Sequence, residues 1–165
     1  MAKTVPIISV VGKSNVGKTT LLEKLLPEIK KRGYRVATIK HDVHGFSIDQ
    51  PGKDTWKHAQ AGADIVIISS HQKMATIEKV ERERTLDEIA AKIDHVDLIL
   101  TEGYKRQDKP KIEVHRAEVS DTLLCEKEEL LALATDTPFN MGVPEFDLDD
   151  SAGIVDLIED RYLKE

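Results

Sequence analysis

The segment Gly-Lys-Ser-Asn-Val-Gly-Lys-Thr at residues 12–19 is the feature that most constrains how this chain folds. An apolar run at residues 5–11 precedes it, and residues 20–32 follow with leucines and an isoleucine spaced as on one face of a helix. A buried strand that passes through two glycines into a helix presents a nest of backbone N–H groups, which binds phosphate. The segment therefore predicts a phosphate-binding loop, because the strand and the helix that this motif requires are both present.

The residues of this loop have separate roles toward a bound nucleotide. Lys18 is expected to reach the β- and γ-phosphates, and the Thr19 hydroxyl is expected to take one coordination position of Mg²⁺. The ligand that these groups fit is a purine nucleoside triphosphate with magnesium. The residues expected to contact that nucleotide are Gly12, Lys13, Ser14, Asn15, Val16, Gly17, Lys18, Thr19 and Thr20.

The rest of the chain alternates short β-rich runs with helical stretches, which is typical of a parallel sheet with helices on its faces. We predict a three-layer α/β fold of the P-loop NTPase-like class, with a mostly parallel sheet and antiparallel edge strands. At 165 residues, the whole chain (1–165) suits one nucleotide-binding domain. Strands are predicted at residues 5–11, 35–40, 65–69, 74–80, 97–101, 111–116 and 130–135, and helices at residues 20–32, 85–93 and 152–163.

Two of the predicted strands are candidates for sheet edges. Residues 111–116 (Lys-Ile-Glu-Val-His-Arg) alternate polar and apolar side chains, which predicts an antiparallel or edge strand with one wet face. Residues 74–80 also alternate and have no evident parallel partner. Because an edge strand carries unpaired backbone groups, we expect at least one of the two to pair with a second copy of the chain.

The magnesium site needs a carboxylate besides the threonine, because Mg²⁺ prefers oxygen ligands and keeps several waters. Glu102 directly follows the predicted strand at 97–101, and a strand that leaves a parallel sheet at this end delivers its next residue beside the phosphate loop. We expect Glu102 to be the principal carboxylate ligand; the other interpretation is a plain solvent-facing acid. Asp97 opens the same strand, at the far end of the sheet, and is rejected as a ligand.

The strand at residues 35–40 ends in Lys40-His41-Asp42, at the same edge of the sheet. Lys40 is expected near the phosphates and Asp42 near the magnesium ion or its waters, at the start of a mobile loop. A charged triplet that simply starts a solvated loop explains Lys40 and Asp42 equally well. His41 and His44 are not predicted to bind zinc, because two histidines without a nearby cysteine do not complete a four-ligand set.

Composition disfavours several other classes of function. A net charge of −6 and a pI of about 5.6 disfavour general nucleic-acid binding, which rests on lysines and arginines that neutralise phosphates. The sequence has no run of about 18 apolar residues, so no membrane partner is expected. The single cysteine, Cys125, cannot form an internal disulfide, and we expect the protein in the cytoplasm.

Four segments together resemble those of one known family. They are the phosphate loop GKSNVGKTTLLEKLLP, the strand end TIKHDVHGF, the loop DQPGKDTWKHAQAGA and the strand end DLILTEGYK, in that order. Over most of residues 5–138 the chain resembles the molybdopterin-guanine dinucleotide biosynthesis protein B family, often called MobB. A phosphate loop alone marks many families, whereas the IKHDxHGF, PGKDTW and EGYK segments are far more selective.

The resemblance implies a GTP-binding protein with weak GTPase activity. It implies that the protein assists the molybdenum cofactor guanylyltransferase, which joins GMP to molybdopterin. GTP and Mg²⁺ are the implied cofactors, molybdopterin is a candidate ligand, and a homodimer is the implied assembly. The family's fold resembles that of dethiobiotin synthetases, in which a Glu-Gly pair after the equivalent strand supplies a magnesium ligand; this supports Glu102.

Guanine recognition departs from the common pattern, because the sequence contains no N/T-K-x-D tetrapeptide. Guanine still requires an acceptor for its N1–H and 2-amino groups, and one carboxylate accepts both bonds. Asp136, after the strand at residues 130–135, is the candidate acceptor, and an aspartate that stabilises the turn before Pro138 is the equal alternative. His41 is the candidate general base, because a histidine titrates near neutral pH.

Two functions from different classes are consistent with these residues. The first is a GTP-dependent adaptor with slow turnover, whose partner completes the site. The second is an ATP-dependent small-molecule kinase or ligase of the dethiobiotin synthetase type, in which a basic run holds an anionic substrate. That run is Lys105, Arg106, Lys109 and Lys111. A nucleotide-binding regulator without turnover is a third alternative.

Overall fold

The computed structural model describes residues 4–164, which form two compact units. The first unit contains residues 4–41 and 86–164, and the second is Asp42–Thr85. Each unit has its own sheet, of six strands in the first and of two in the second. The assignment of residues 1–165 to a single domain stays a prediction.

Most of the elements match the predicted pattern, and the helix predicted at residues 85–93 is shorter than expected. The segment DQPGKDTWKHAQAGA, predicted as a loop, contains a helix at Asp54–Gln60, whose acidic first turn and basic last turn suit the helix dipole. In chain order they are β1 (Ile7–Val11), α1 (Lys18–Lys31), β2 (Val36–Lys40), α2 (Asp54–Gln60), β3 (Ile65–Ser69), β4 (Met74–Glu78), α3 (Leu86–Ala90), β5 (Leu98–Glu102), β6 (Lys111–His115), β7 (Leu130–Thr135), β8 (Glu145–Phe146) and α4 (Ser151–Ile158). A π-helical segment, Glu159–Leu163, extends α4. Within residues 4–164, no helix has both the length and the apolar character needed to cross a membrane.

The large sheet has the strand order β2-β5-β1-β6-β7-β8, and every neighbouring pair is parallel. Helices α1 and α4 pack together on one face, where Leu25, Ile29 and Ile154 are fully buried. Leu86 of α3 packs with Ile39 and Ile99 in a second cluster. The predicted α/β fold is therefore confirmed, and its parallel strands bring the ends of β1, β2 and β5 to one edge.

Strand β6 corrects the prediction of an edge strand with a wet face at residues 111–116. It lies inside the sheet, parallel to both β1 and β7. Its three polar side chains are buried, and each has a partner in the segment that joins β6 to β7. The pairs are Lys111 with Glu129, Glu113 with the N–H groups of Leu124 and Cys125, and His115 with the carbonyl oxygen of Ser120. The alternation therefore marks a covered face, because buried polar groups with partners avoid most of the cost of leaving water.

The second unit contains the antiparallel strands. β3 and β4 pair from Ile65 opposite Glu78 to Ser69 opposite Met74, and within residues 4–164 neither strand has another partner. The pair is unusually apolar on its surface, because Ile67 and Ile68 are 59% and 56% exposed and their side chains point to opposite faces. The strands predicted at residues 65–69 and 74–80 are confirmed, and they form a sheet of their own.

Cys125 is a buried residue of the segment that joins β6 to β7. Its backbone N–H donates to Glu113 Oε2 at 3.0 Å. Burial, together with the negative charges of Glu113 and Glu129, raises the pKa of the Cys125 thiol to about 12. The side chain is therefore a small apolar group of the core at neutral pH.

Candidate nucleotide-binding site

The predicted phosphate loop joins β1 to α1, and both of its glycines are required by the backbone. Gly12 has φ +155°, and a Cβ atom there would lie 2.6 Å from the carbonyl oxygen of Val114 and 2.8 Å from Val16 Cγ1. Gly17, the N-cap of α1, has φ +105°, a conformation that side chains rarely adopt. The loop therefore turns tightly against β6 and enters the helix N-terminus, the geometry in which N–H groups gather around an anion.

Lys18 closes back over this loop. Its Nζ donates to the carbonyl oxygens of Gly12, at 2.8 Å, and of Lys13, at 3.3 Å. Partial burial lowers the pKa of Lys18; Glu102 opposes this shift, and the positive charges of Lys105 and Lys40 add to it. Three lysines and one glutamate therefore interact electrostatically at this edge of the sheet, and the net positive charge attracts a polyanion.

Thr19 and Glu102 form the most informative contact of the site. Thr19 Oγ1 donates to Glu102 Oε1 at 2.9 Å, and Glu102 is the last residue of β5, paired in register with Val10 of β1. Neighbouring ligands of an octahedral Mg²⁺ lie about 2.9 Å apart when each is 2.0–2.1 Å from the metal. The distance is that of an ordinary hydrogen bond, and it is also compatible with two neighbouring oxygen ligands of one magnesium ion.

A metal site made by protein side chains alone is not present in the described part of the chain. No group of three or more His, Cys, Asp or Glu side chains within residues 4–164 is arranged to hold a metal ion. The exclusion of zinc at His41 and His44 stays a prediction.

His41 is held directly beside Glu102. Its backbone N–H donates to the carbonyl oxygen of Glu102 at 3.0 Å, and its ring stacks on Tyr104, with centroids 4.6 Å apart and planes at 20°. Gly103 has φ +95°, and a Cβ atom there would lie 3.3 Å from His41 Cβ. Lys40 is the register partner of Glu102 across β2 and β5 and is exposed. The structure therefore brings Lys40, His41 and Glu102 to one place.

Asp42 begins the second unit and stabilises its own loop. Its Oδ1 accepts a hydrogen bond from the backbone N–H of His44 at 2.9 Å, which is the pattern of an Asx turn. Residues 41–53 contain no regular helix or strand, as predicted for a loop. The role of Asp42 at magnesium stays a prediction.

Asp136 lies exposed just beyond the end of β7. Its Oδ1 accepts from the backbone N–H of Ala117 at 2.9 Å and from Thr137 Oγ1 at 3.3 Å. The bond from Ala117 is the main reason that the pKa of Asp136 lies below its usual value. The carboxylate is therefore ionised and can accept hydrogen bonds, but it also stabilises local structure. Both interpretations of Asp136 stand.

The basic run after Glu102 does not act as one solvated cluster. Lys109 forms an ion pair with Asp87 at 2.8 Å, and Lys111 is 2% exposed. Lys111 Nζ donates to the carbonyl oxygens of Gln107 and Lys109, at 2.7 and 3.3 Å. Lys105 is the member of the run whose charge lowers the pKa of Lys18, and it is therefore the one that contributes to the field at the phosphate loop.

Two residues of the site were missed from the sequence. Tyr104 stacks on His41, and Arg116 donates from Nε to the carbonyl oxygen of Val16 at 2.9 Å. The sequence pattern predicts Arg116 at the end of an edge strand with one wet face. Residues that follow parallel strands gather at one edge of the sheet, and Glu102 was located in this way. The same rule points to Arg116 once β6 is known to be parallel to β1.

In this protein the first strand of a parallel sheet leads through the phosphate loop into a helix. This arrangement places it in the class of P-loop NTPase-like α/β proteins. Residues 7–136 match the family described as MobB, molybdopterin guanine dinucleotide synthesis protein B. The chain belongs to this family, and the resemblance noted in its sequence is confirmed.

Relatives and solved structures agree with this assignment. The molybdopterin-guanine dinucleotide biosynthesis adapter protein of Haemophilus influenzae is 37% identical over 161 residues, which is 96% of this chain and 90% of the relative. The Escherichia coli protein of the same name is 34% identical over 168 residues, with 98% and 95% covered. A crystal structure of molybdopterin-guanine biosynthesis protein B has a TM-score of 0.71 at 30% identity, with 93% of this chain and 98% of that one covered. That of Bacillus subtilis MobB has a TM-score of 0.73 at 27% identity, with 97% and 99% covered.

Proposed function

We propose that this protein is a GTP-binding adapter of molybdopterin guanine dinucleotide biosynthesis that acts in the cytoplasm. In this proposal it hydrolyses GTP weakly and assists the guanylyltransferase that forms the dinucleotide cofactor. The observation that carries the proposal is the 2.9 Å contact between Thr19 Oγ1 and Glu102 Oε1 beside the phosphate loop. The names of the relatives, which describe them as adapter proteins of molybdopterin-guanine dinucleotide biosynthesis, support the pathway.

Each residue of the site has a defined part in binding. The backbone N–H groups of residues 12–20 hold phosphate oxygens, and Lys18 leaves the Gly12 carbonyl to bind the β- and γ-phosphates. Thr19 and Glu102 supply one hydroxyl and one carboxylate oxygen to Mg²⁺, which neutralises charge on the phosphates when bound. Lys40 and Lys105 add positive charge at the same edge.

Slow hydrolysis follows from what these groups do. Lys18, Thr19 and Glu102 bind the nucleotide and neutralise charge, whereas hydrolysis also needs a group that positions and deprotonates a water molecule. His41 is the candidate for that role, and its ring is stacked on Tyr104. We therefore propose that the partner enzyme reorients the segment at Lys40 and His41 and so completes the site.

Partner-stimulated hydrolysis is the experiment that tests the proposal. The isolated protein should turn over GTP far more slowly than about 1 s⁻¹, the low end of typical enzymes. Adding the guanylyltransferase should raise the rate at least about tenfold. An arginine supplied in trans accelerates GTPases by about 10³–10⁵, so the expected increase is modest. Phosphate release is measured with and without the partner, and nucleotide transfer to molybdopterin should occur only when the partner is present.

His41→Ala should reduce the stimulated rate more than the basal rate. His95→Asn is the matched control: His95 is 78% exposed at its side chain, lies before β5 at the other end of the sheet, and has φ +56°, which asparagine tolerates. The control should keep full stimulation. A basal rate that the guanylyltransferase leaves unchanged would count against the adapter function.

An ATP-dependent kinase or ligase of the dethiobiotin synthetase type is the alternative. Lys105 favours this alternative. Its charge is close enough to Lys18 to lower the pKa of Lys18, and its exposed side chain is available to an anionic substrate. The nucleotide preference separates the two functions, since Asp136 can accept both guanine donors and adenine offers no such pair. Tighter binding of ATP than of GTP in a calorimetric titration with Mg²⁺ would favour the kinase.

We also propose a homodimer that forms through the second unit. β4 has β3 as its partner within residues 4–164, so its outer edge carries backbone groups that a second copy can pair with. The surrounding surface is apolar: Ile65, Ile67 and Met74 are 54%, 59% and 68% exposed. Contiguous apolar surface of this kind usually marks an interface.

The dimer is predicted to depend on this apolar surface. Light scattering at tens of micromolar should give twice the monomer mass of 18.5 kDa. Ile67→Glu should shift the protein to monomer, because a charge placed in an apolar contact costs several kcal/mol of association. Leu124→Glu, at an apolar side chain of the first unit that is 37% exposed, should leave the dimer intact. A wild-type protein that stays monomeric under these conditions would refute the proposal.

A further inference from the structure

Arg116 contacts the phosphate loop from the strand beside it. It follows β6 directly, and its Nε donates to the carbonyl oxygen of Val16 at 2.9 Å. A Cβ atom on Gly17 would lie 3.4 Å from Arg116 Nη2 and 3.5 Å from Nε. The guanidinium group therefore lies against the open face of Gly17, at the N-terminus of α1.

Most of the hydrogen-bonding capacity of Arg116 is uncommitted. A guanidinium group has five N–H donors, and within residues 4–164 only the Nε–H of Arg116 has an acceptor. Arg32 shows the contrast, because acidic side chains surround it. Its partners are Glu28, Asp156 and Glu159. Asp149 is close enough to Arg116 for the arginine to contribute to its lowered pKa, although Lys24 is the main cause. The ion pair of Asp149 is with Lys24.

The segment that follows Arg116 is attached to the same loop. Lys13 Nζ donates to Ser120 Oγ and, at 3.1 Å, to Thr122 Oγ1. The N–H of Ala117 donates to Asp136, the candidate guanine acceptor. Residues 116–122 therefore form a strap that is anchored at the phosphate loop and at Asp136, so the position of Arg116 is fixed before a ligand arrives.

We propose that Arg116 is a further nucleotide-binding residue of this site. Its Nε–H fixes the phosphate loop through Val16, and its Nη groups bind oxygens of the phosphate chain of a nucleoside di- or triphosphate. A half-buried cation without an ion pair is costly, and a phosphate oxygen offsets that cost through charge-assisted hydrogen bonds. This inference rests on the proposed binding of GTP.

Calorimetric titration with GTP and with GDP, both with Mg²⁺, tests the inference. Arg116→Gln should weaken both ligands by about ten- to a hundredfold, the usual effect of losing charge-assisted hydrogen bonds. Arg116→Lys keeps the charge but loses the planar group, and it should recover part of the affinity. Arg161→Gln removes an exposed arginine in the π-helical segment that extends α4 and should stay within about twofold of the wild type.

The outcomes separate this inference from the proposed function. Wild-type affinity in Arg116→Gln would overturn the inference and leave GTP binding intact. Equal losses in Arg116→Gln and Arg116→Lys, with faster amide exchange at residues 12–18, would show that Arg116 only supports the loop and would also overturn it. A wild-type protein that binds neither GTP nor GDP would refute the proposed function, and the inference with it.

Discussion

Lys18→Ala should weaken GTP binding at least about a hundredfold and leave the protein folded, because this lysine contributes charge-assisted bonds to two phosphates. Within residues 4–164, Lys18 Nζ bonds to carbonyl oxygens of its own loop, those of Gly12 and Lys13. Its replacement therefore removes hydrogen bonds within the loop and leaves the hydrogen bonds of the sheet intact. Calorimetry with Mg²⁺ and GTP measures the affinity, and circular dichroism checks the fold.

Lys31→Ala is the matched control for this change. Lys31 is an exposed lysine in the last turn of α1, so both variants replace a lysine by alanine in one helix. The control should bind GTP as the wild type does. Undiminished GTP affinity in folded Lys18→Ala protein would contradict the assignment of the phosphate loop.

Glu102→Gln should keep GTP affinity within about fivefold and reduce magnesium-dependent hydrolysis roughly a hundredfold. Glutamine retains an acceptor oxygen for Thr19 Oγ1, so the contact between the two side chains persists. It lacks the negative charge that a magnesium ligand supplies. Steady-state phosphate release at varied Mg²⁺ concentration measures the effect, with exposed Glu128→Gln as the control.

The same substitution has a second, independent readout. Burial, Lys105 and Lys40 lower the pKa of Lys18, and the negative charge of Glu102 partly opposes them. Removing its charge should lower that pKa further, so Lys18 loses its proton at a lower pH than in the wild type. The fall of GTP affinity at alkaline pH should therefore begin earlier in Glu102→Gln. Hydrolysis that survives undiminished would point to Asp42 or another acid as the principal ligand.

The parts of the site that could be predicted from sequence depend on short-range geometry. Residues 12–19 impose a loop in which Gly12 has no room for a side chain and Gly17 has a φ that favours glycine, and the motif itself specifies both glycines. Glu102 followed from the rule that parallel strands end at one edge, and the structure places it 2.9 Å from Thr19. Both inferences needed only the identity of neighbouring residues and the direction of a strand.

The errors came from contacts between distant parts of the chain. The polar residues of β6 look like a wet face until the segment at residues 116–129 is known to cover them. Arg116 was overlooked for the same reason, because its contact with Val16 spans 100 residues of sequence. The sequence also did not predict that β3 and β4 form a separate sheet, because an alternating pattern does not specify which strand is the partner.

The buried thiol of Cys125 gives this protein a useful experimental property. A thiolate reacts with maleimides and oxidants far faster than a thiol does, and a pKa of about 12 leaves almost no thiolate at neutral pH. The chain has no other cysteine. A cysteine introduced at an exposed position, such as Val43 or Phe46 in the loop after β2, would therefore be labelled selectively in the otherwise unchanged protein. Fluorescence or spin labels at these positions would report the response of that loop to GTP and to the partner without a cysteine-free background.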